Sequence, residues 1–296
     1  MKQLFIKSGI TILLLSVLSF HSFSADKYTL ELKLEKGKTF KNSTNAVMSA
    51  EMDAMGQVMK FGVKSEAVHK FVVIGQTKDV YDMQMSLLKM KIDMDSPMMP
   101  FKFDSEATEI AGYDTKTIFG IPIDVQLSKT GKVVAIKGNE KLIEKTETIS
   151  NEQIKQMLSS QFTEQVLKTS IEQSTKFFPD KPVEIGENWD IISSVFSNGV
   201  DIISKAKLSL KQVKDNVGTI ELTGTLSTPE GGAIMKAQGM DMKVSIKGDQ
   251  TGTILVDMKT GWIVSYELFQ KYIQDVEVMG QNMKQKMDVK ITVTAE

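Results

Sequence analysis

Apolar and polar residues alternate along most of this chain. Leu30, Leu32 and Leu34 flank Glu31 and Lys33, and the same period runs through Ile121, Ile123, Val125 and Leu127, through Leu208 and Leu210, and through Ile220, Leu222 and Leu226. Met240, Met242, Val244 and Ile246 repeat it, as do Met287, Val289, Ile291 and Val293. A period of two places the apolar side chains on one face of an extended strand and the polar ones on the other. Strands with one wet face belong in antiparallel sheet. Turn signals separate them at Lys36-Gly37-Lys38, Met55-Gly56-Gln57, Thr130-Gly131-Lys132, Asp215-Asn216, Gly248-Asp249, Thr260-Gly261-Trp262 and Met279-Gly280-Gln281. Tyr81, Met83, Met85 and Leu87 hold one parity and Leu88, Met90, Ile92 and Met94 the other. That switch between Leu87 and Leu88 predicts a bulge or strong coil there.

One stretch departs from the pattern. Ile154, Met157, Leu158, Phe162, Leu167 and Ile171 recur at helical spacing, with Ser150 and Gln153 placed as a capping box and Phe177-Phe178-Pro179 as a stop. The expectation is a helix over about 151–177, preceded by a short one near 139–148. The division that follows is a first β-half at 25–137, a helical segment at 138–178 and a second β-half at 179–296. Laying Gly37 on Gly261 aligns LEKGKTFKNSTNAVMSAEMDAMGQVMKF with MKTGWIVSYELFQKYIQDVEVMGQNMKQ without a gap, both glycine turns coinciding. The repeated object is a turn, a long strand, a second turn and a return strand, which points to internal duplication. The predicted fold is therefore mainly β with some α: a strongly curved antiparallel sheet or open barrel built from two related β-halves around a central helical segment.

The first residues change the picture of where the chain works. Lys2 and Lys7 precede an apolar run from Gly9 to Phe20 that gives way to small residues, the pattern of a secretory signal peptide over 1–24, with cleavage after Ser24 or after Ala25. The run is shorter than the roughly 20 residues of a membrane span. The expectation is an exported chain, periplasmic or extracellular, without a transmembrane anchor once processed. Cys is absent, so neither a disulfide nor a lipid-modified cysteine is available. The formal net charge is −1, and all 36 cationic side chains are Lys. Arginine is the usual bidentate reader of phosphates and guanine edges, so nucleic-acid binding is not expected.

Candidate chemistry is sparse. The 19 Met residues offer soft sulfur ligands suited to monovalent copper, but their period-two spacing reads as apolar wall, with Met standing in for Leu. No metal and no cofactor is expected. Ser96-Pro97-Met98-Met99-Pro100-Phe101 is an apolar loop whose prolines keep it out of a ladder; it reads as a hairpin connection folded onto the sheet, as a lip over a cavity, or as a docking knob. Phe119, Trp189 and Trp262 read as buried aromatics or as pocket lining. Outside the leader the sole histidine is His69, read as a strand-face residue near solvent, and no G-x-S-x-G elbow accompanies it. Asp93 with Asp95, and Asp79 with Asp82, are paired carboxylates, and the first pair alternates with Ile92 and Met94 as a solvated strand face does. Asn42-Ser43-Thr44 fits the glycosylation pattern. The chain is not expected to be an enzyme.

Four stretches carry a resemblance: FKFDSEA at 101–107, IFGIPIDVQLSKTGKVVAIKG at 118–138, FFPDKPVEIGENW at 177–189 and GTILVDMKTGWIVSYE at 252–267. Together they are similar to a family of secreted bacterial proteins known only as a domain of unknown function, for which no catalytic residues are assigned. In architecture, long amphipathic strands with intervening helices resemble the half-barrels of periplasmic lipoprotein carriers. The reading is an exported, non-enzymatic binding protein for an apolar, lipid-like ligand, lined by Tyr81, Met83, Met85, Met90 and Met94 and gated by Met98, Met99 and Phe101. The alternative is an envelope assembly protein that docks a partner through a sheet edge or the 96–101 loop. Candidate partners are thus an apolar small molecule or an envelope protein.

Overall fold

A computed structural model describes residues 26–54, 57–96, 100–107, 118–197, 200–237, 240–278 and 280–296. The leader, Met55, Gly56, Met98, Met99 and Met279 lie outside these. In chain order the elements are β1 (Thr39–Ala54), β2 (Gln57–Gln76), β3 (Val80–Asp95), β4 (Phe101–Asp104), β5 (Ile123–Ser128), β6 (Val133–Lys137), α1 (Asn139–Thr146), α2 (Glu152–Gln161), α3 (Glu164–Thr175), β7 (Asn188–Ser197), β8 (Val200–Lys214), β9 (Val217–Ser227), β10 (Ala233–Ala237), β11 (Met240–Asp257), β12 (Ile263–Val278) and β13 (Gln281–Ala295). All strands pair antiparallel in one open sheet of order β6-β5-β3-β2-β1-β13-β12-β11-β9-β8-β7, with β4 beside the far end of β3 and β10 beside the far end of β11. The two halves meet through β1 and β13.

The duplicated stretches adopt the same shape. β1 and β12 each have 16 residues and each follows a left-handed glycine, Gly37 with φ 86° and Gly261 with φ 69°. Their return strands are β2 and β13, so the order β2-β1-β13-β12 sets one hairpin beside the other. Gly280, at the tip of the second copy, has φ 75°.

Gly248-Asp249 makes no turn, contrary to its dipeptide signal: both residues lie inside the 18-residue β11. A Cβ on Gly248 would stand 2.3 Å from the Cβ of Tyr272, its partner on β12, and one on Gly224 would stand 2.3 Å from the Lys205 carbonyl oxygen. Directly opposed Cβ atoms in ordinary sheet are about 4.5–5.5 Å apart. The inner sides of these strands therefore converge, and glycine is what allows the sheet to crease there.

The helical segment is three helices, because the expected 151–177 helix breaks after Gln161. Phe162 is 1% exposed in the core, and Thr163 starts a new helix by accepting a hydrogen bond from the Val166 amide at Oγ1. The cap of α2 is Asn151, one residue after the expected Ser150, and its Oδ1 accepts from the Ile154 amide at 3.0 Å. α3 lies between the two edge strands. The β6 amide of Val133 donates to Glu172 at 3.1 Å, and the β7 amide of Phe196 donates to the Thr169 hydroxyl. Its C-terminal end is fixed by Thr175, whose hydroxyl donates to the Gly131 carbonyl, and by Trp189, whose indole N–H donates to the Phe177 carbonyl. One helix thus engages both sheet edges, which blocks their pairing with other strands.

Leu30, Leu32 and Leu34 are all buried, as their alternation requires, but they form no sheet strand. Their segment is an extended strap, bonded from the Leu32 amide to Lys129 and from the Lys33 amide to Thr260.

Candidate functional site

The inner face of the sheet, the one that carries the helices, has two regions. Beneath the helices it is solid: Tyr81, Met83, Val125, Leu127, Leu208, Leu210 and Ile220 are all at most 2% exposed. Tyr81 spends its hydroxyl on the Leu32 carbonyl at 2.8 Å, and neither it nor Met83 points into a helix–sheet cavity. Beyond the helices the long strands continue. Successive inner rows in register there are Gln270, Val289, Met48, Val63, Met94 and Phe101; then Tyr272, Met287, Ala50 and Phe61; then Gln274, Gln285, Met52 and Met59. Most of these are half-buried, while their neighbours in sequence on the outer face, such as Val47, Ser49, Glu51, Lys60 and Lys64, are exposed.

The bulge is what makes this face continuous. Val68 pairs with Lys89 and His69 with Leu87, so Leu88 is the extra residue and the register shifts there. Leu87 and Met90 then point the same way, and the two parities of β3 become one inward row from Tyr81 to Met94. Asp93 and Asp95 fall on the outer face, where Asp93 pairs with Lys102 at 3.1 Å.

Between the two regions, α3 and strands β1 to β3 enclose a cavity of about 160 Å³. Its wall includes Met85 and Met90, so the expected site residues separate: two in the cavity wall, Met94 and Phe101 paired on the open face, Tyr81 and Met83 in solid core, and Met98 and Met99 outside the described residues. His69 lines this cavity instead of facing bulk solvent, because its parity on β2 is that of Phe71 and Val73. Burial pushes its imidazole down to about 4. Opposite it on β1 is Asn42, 2% exposed, whose Oδ1 accepts the Trp262 indole N–H at 3.0 Å. That burial leaves no room for a glycan on Asn42. On the other side of α3 a cavity of about 70 Å³ lies against the buried chain Gln270 to Gln250 to Ser204, bonded at 3.2 and 2.6 Å. The creasing glycines and Asn42 escaped the sequence reading. Glycine inside an alternating run was the available signal for the first; the second had none.

Among the described residues no helix is long and apolar enough to cross a membrane. Fold and site together define an open, creased antiparallel sheet, bolted by a helix at one end and apolar on its uncovered inner face. The chain belongs to the family described as "Family of unknown function (DUF6263)", which matches residues 78–263, more than half its length. No curated protein matches it. Among solved structures it is similar to the one titled "Lipid-protein interactions in lipovitellin", with a TM-score of 0.51 and 13% identity over 89% of this chain and 25% of that one. The chain thus spans about a quarter of lipovitellin's length. An outer membrane channel from Pseudomonas putida F1 aligns with a TM-score of 0.26 and 7% identity over 90% of this chain and 97% of the channel.

Proposed function

We propose that this protein is a non-enzymatic carrier of the bacterial cell envelope, exported by its N-terminal leader, that holds an apolar, acyl-chain-like ligand against the uncovered inner face of its sheet. The observation that carries this reading is the change of state along one inner face, apolar except at Gln270, Gln274 and Gln285. The same alternation that is sealed at Met83 (0% exposed) is half-open at Met48, Val63, Met94 and Val289. Contiguous apolar surface of this kind marks a binding surface, and flexible thioethers conform to ligands of varied shape. The outer face of the same strands bears Lys–Glu and Lys–Asp pairs, including Lys60 with Glu51 at 2.7 Å and Lys271 with Asp288 at 3.7 Å. The outer side thus carries the charge, set among the exposed Val47, Phe269 and Ile273. The lipid–protein interactions named in lipovitellin's title fit this reading.

The test is expression in a bacterial envelope followed by native mass spectrometry and lipid extraction. Acyl lipid should travel with the wild-type chain and be lost from a Met48→Lys/Met94→Lys double variant that still melts cooperatively. A wild-type chain that carries no lipid, and takes up no fluorescent acyl probe, refutes the proposal. If whole-cell cross-linking then gave one dominant protein adduct, the docking reading would replace it.

A further inference from the structure

The open inner face is divided across its strands. In the three rows beyond the helices, β1, β2 and β3 contribute only apolar side chains, among them Met48, Met52, Met59, Val63 and Met94. On β12 and β13 the same rows add Gln270, Tyr272, Gln274 and Gln285. The Gln270 amide is already engaged, donating to Gln250 at 3.2 Å. Gln274 and Gln285 stand directly opposite each other and are both half-buried. Gln285 Nε2 donates to the Met52 thioether at 3.3 Å, and a thioether is a weak acceptor. Gln274 has no side-chain hydrogen bond among the described residues. Two amides therefore meet on this face with donors that the protein's own acceptors leave largely unused, and both remain within reach of a ligand.

The amide pair lies beside the crease. Tyr272 and Val276, the inner-face neighbours of Gln274 along β12, both pack in the second buried cluster with Val200, Leu226, Val244 and Ile246. Ile246 is also the partner of Gln274 on β11. The two amides thus stand at the foot of an apolar wall, at one margin of the open face. From β13 to β3 the sheet crosses three strand spacings, about 14 Å, over methionine, valine and phenylalanine. Such a face is itself amphipathic, polar at one side and apolar across the rest, and it matches a molecule divided in the same way.

We propose that Gln274 and Gln285 are the head-group site of the carrier: their amide N–H groups donate to the acceptor oxygens of an acyl lipid, those of an ester or of a carboxylate, while its hydrocarbon lies across β1 and β2 toward Met48, Val63 and Met94. The inference rests on the carrier reading above and adds a direction. The ligand crosses the strands, head on β12 and β13 and tail toward β3.

The experiment gives the delipidated protein monolaurin or laurate, each carrying a photoreactive diazirine either at the chain terminus or next to the carbonyl, and maps the cross-links by peptide mass spectrometry. Terminal label should fall on β1 to β3, around Met48, Val63 and Met94, and carbonyl-side label on β12 and β13, around Tyr272, Gln274 and Gln285. Whichever lipid gives this pattern identifies the acceptor, monolaurin an ester and laurate a carboxylate. A Gln274→Leu/Gln285→Leu variant that still melts cooperatively should bind that lipid about tenfold more weakly, with its carbonyl-side label no longer concentrated on β12 and β13. If the variant does not fold, the wild-type map decides alone. A reversed or position-independent map in the wild type, or a folded variant that binds and cross-links as the wild type does, overturns the head-group site and leaves the carrier standing. Failure of both lipids to bind overturns the carrier and the site together.

Discussion

The internal duplication supplies its own control for the strap. Gly37 and Gly261 occupy equivalent turns with φ 86° and 69°; the Gly37 amide donates across to the Val73 carbonyl of β2 at 2.8 Å and the Gly261 amide back to the Asp257 carbonyl of its own turn at 2.7 Å. They differ in what lies outside the turn. A Cβ on Gly37 meets nothing within 4 Å; one on Gly261 would lie 2.0 Å from the Glu31 carbonyl oxygen and 3.0 Å from the Leu32 Cα. Gly37→Ala should therefore cost the left-handed conformation alone, about 1–2 kcal/mol. Gly261→Ala costs the same and in addition displaces the strap. That breaks the Lys33–Thr260 and Leu32–Lys129 bonds, about 1 kcal/mol each, and draws Leu32, 1% exposed, partly into water for a further 1 kcal/mol or so. The expected loss is about 4 kcal/mol or more. Urea unfolding followed by circular dichroism measures both variants; an unchanged dependence on denaturant in Gly37→Ala checks that the comparison is sound. Losses equal within about 0.5 kcal/mol would mean that residues 28–34 do not pack on the second turn, and the sealed end of the sheet would need another explanation.

Acid should weaken the fold through His69. Its pKa falls from 6.5 to about 4 on folding, so the unfolded chain binds the extra proton between these values; the contribution is intact above about pH 6.5 and is lost as pH falls toward 4. The loss is at most about 3 kcal/mol, less because the imidazole keeps part of its surface open in the cavity wall, and a His69→Gln chain should show a shallower decline in urea midpoint from pH 7 to 4.5. An identical slope in both chains refutes the buried, neutral assignment. Deleting Leu88, the extra residue, should close the bulge and leave Leu87, Met90, Ile92 and Met94 inward in unbroken register, at about 1 kcal/mol, whereas deleting Lys91 from the regular ladder should send Ile92 and Met94 outward and cost about 3 kcal/mol. Thermal melts compare the two; a Leu88 deletion as costly as the Lys91 deletion would disprove the bulge.

The parts of this fold legible in the sequence were those encoded by near neighbours. Alternation placed Ile123, Val125 and Leu127 on one face, the parity switch located the extra residue at Leu88, and the paired glycine turns exposed the duplication. What escaped depends on contacts distant along the chain. Gly248 reads as a turn until β9 and β12 are known to flank it. Asn42 reads as part of a glycosylation pattern until Trp262, far away in sequence, is seen to hold its amide. The alternation of Leu30, Leu32 and Leu34 reports that one side is buried, but cannot say whether a ladder or a strap buries it.

Whether the inner face is hollow or packed was likewise not in the alternation, but it is in the lengths. A 16-residue strand such as β1 or β12 extends about 50 Å. A helix unbroken over 151–177 would have reached about 40 Å and covered most of that face. The break at Phe162 and Thr163 leaves α3 with 12 residues, about 18 Å, running beside β7 from Trp189 toward Phe196. Among the described residues, the remaining length of β1, β2 and β3 has no helix to pack against, while Val276 of β12 joins a second buried cluster with Val244 and Ile246. Those strands keep apolar side chains inward all the same, at Met48, Met52, Met59, Val63 and Met94. Uncovered apolar surface is costly in water, and on the outer face of these strands Lys, Glu and Asp stand among the exposed Val47, Phe269 and Ile273. The short helix thus determines which part of the inner face stays half-open among the described residues.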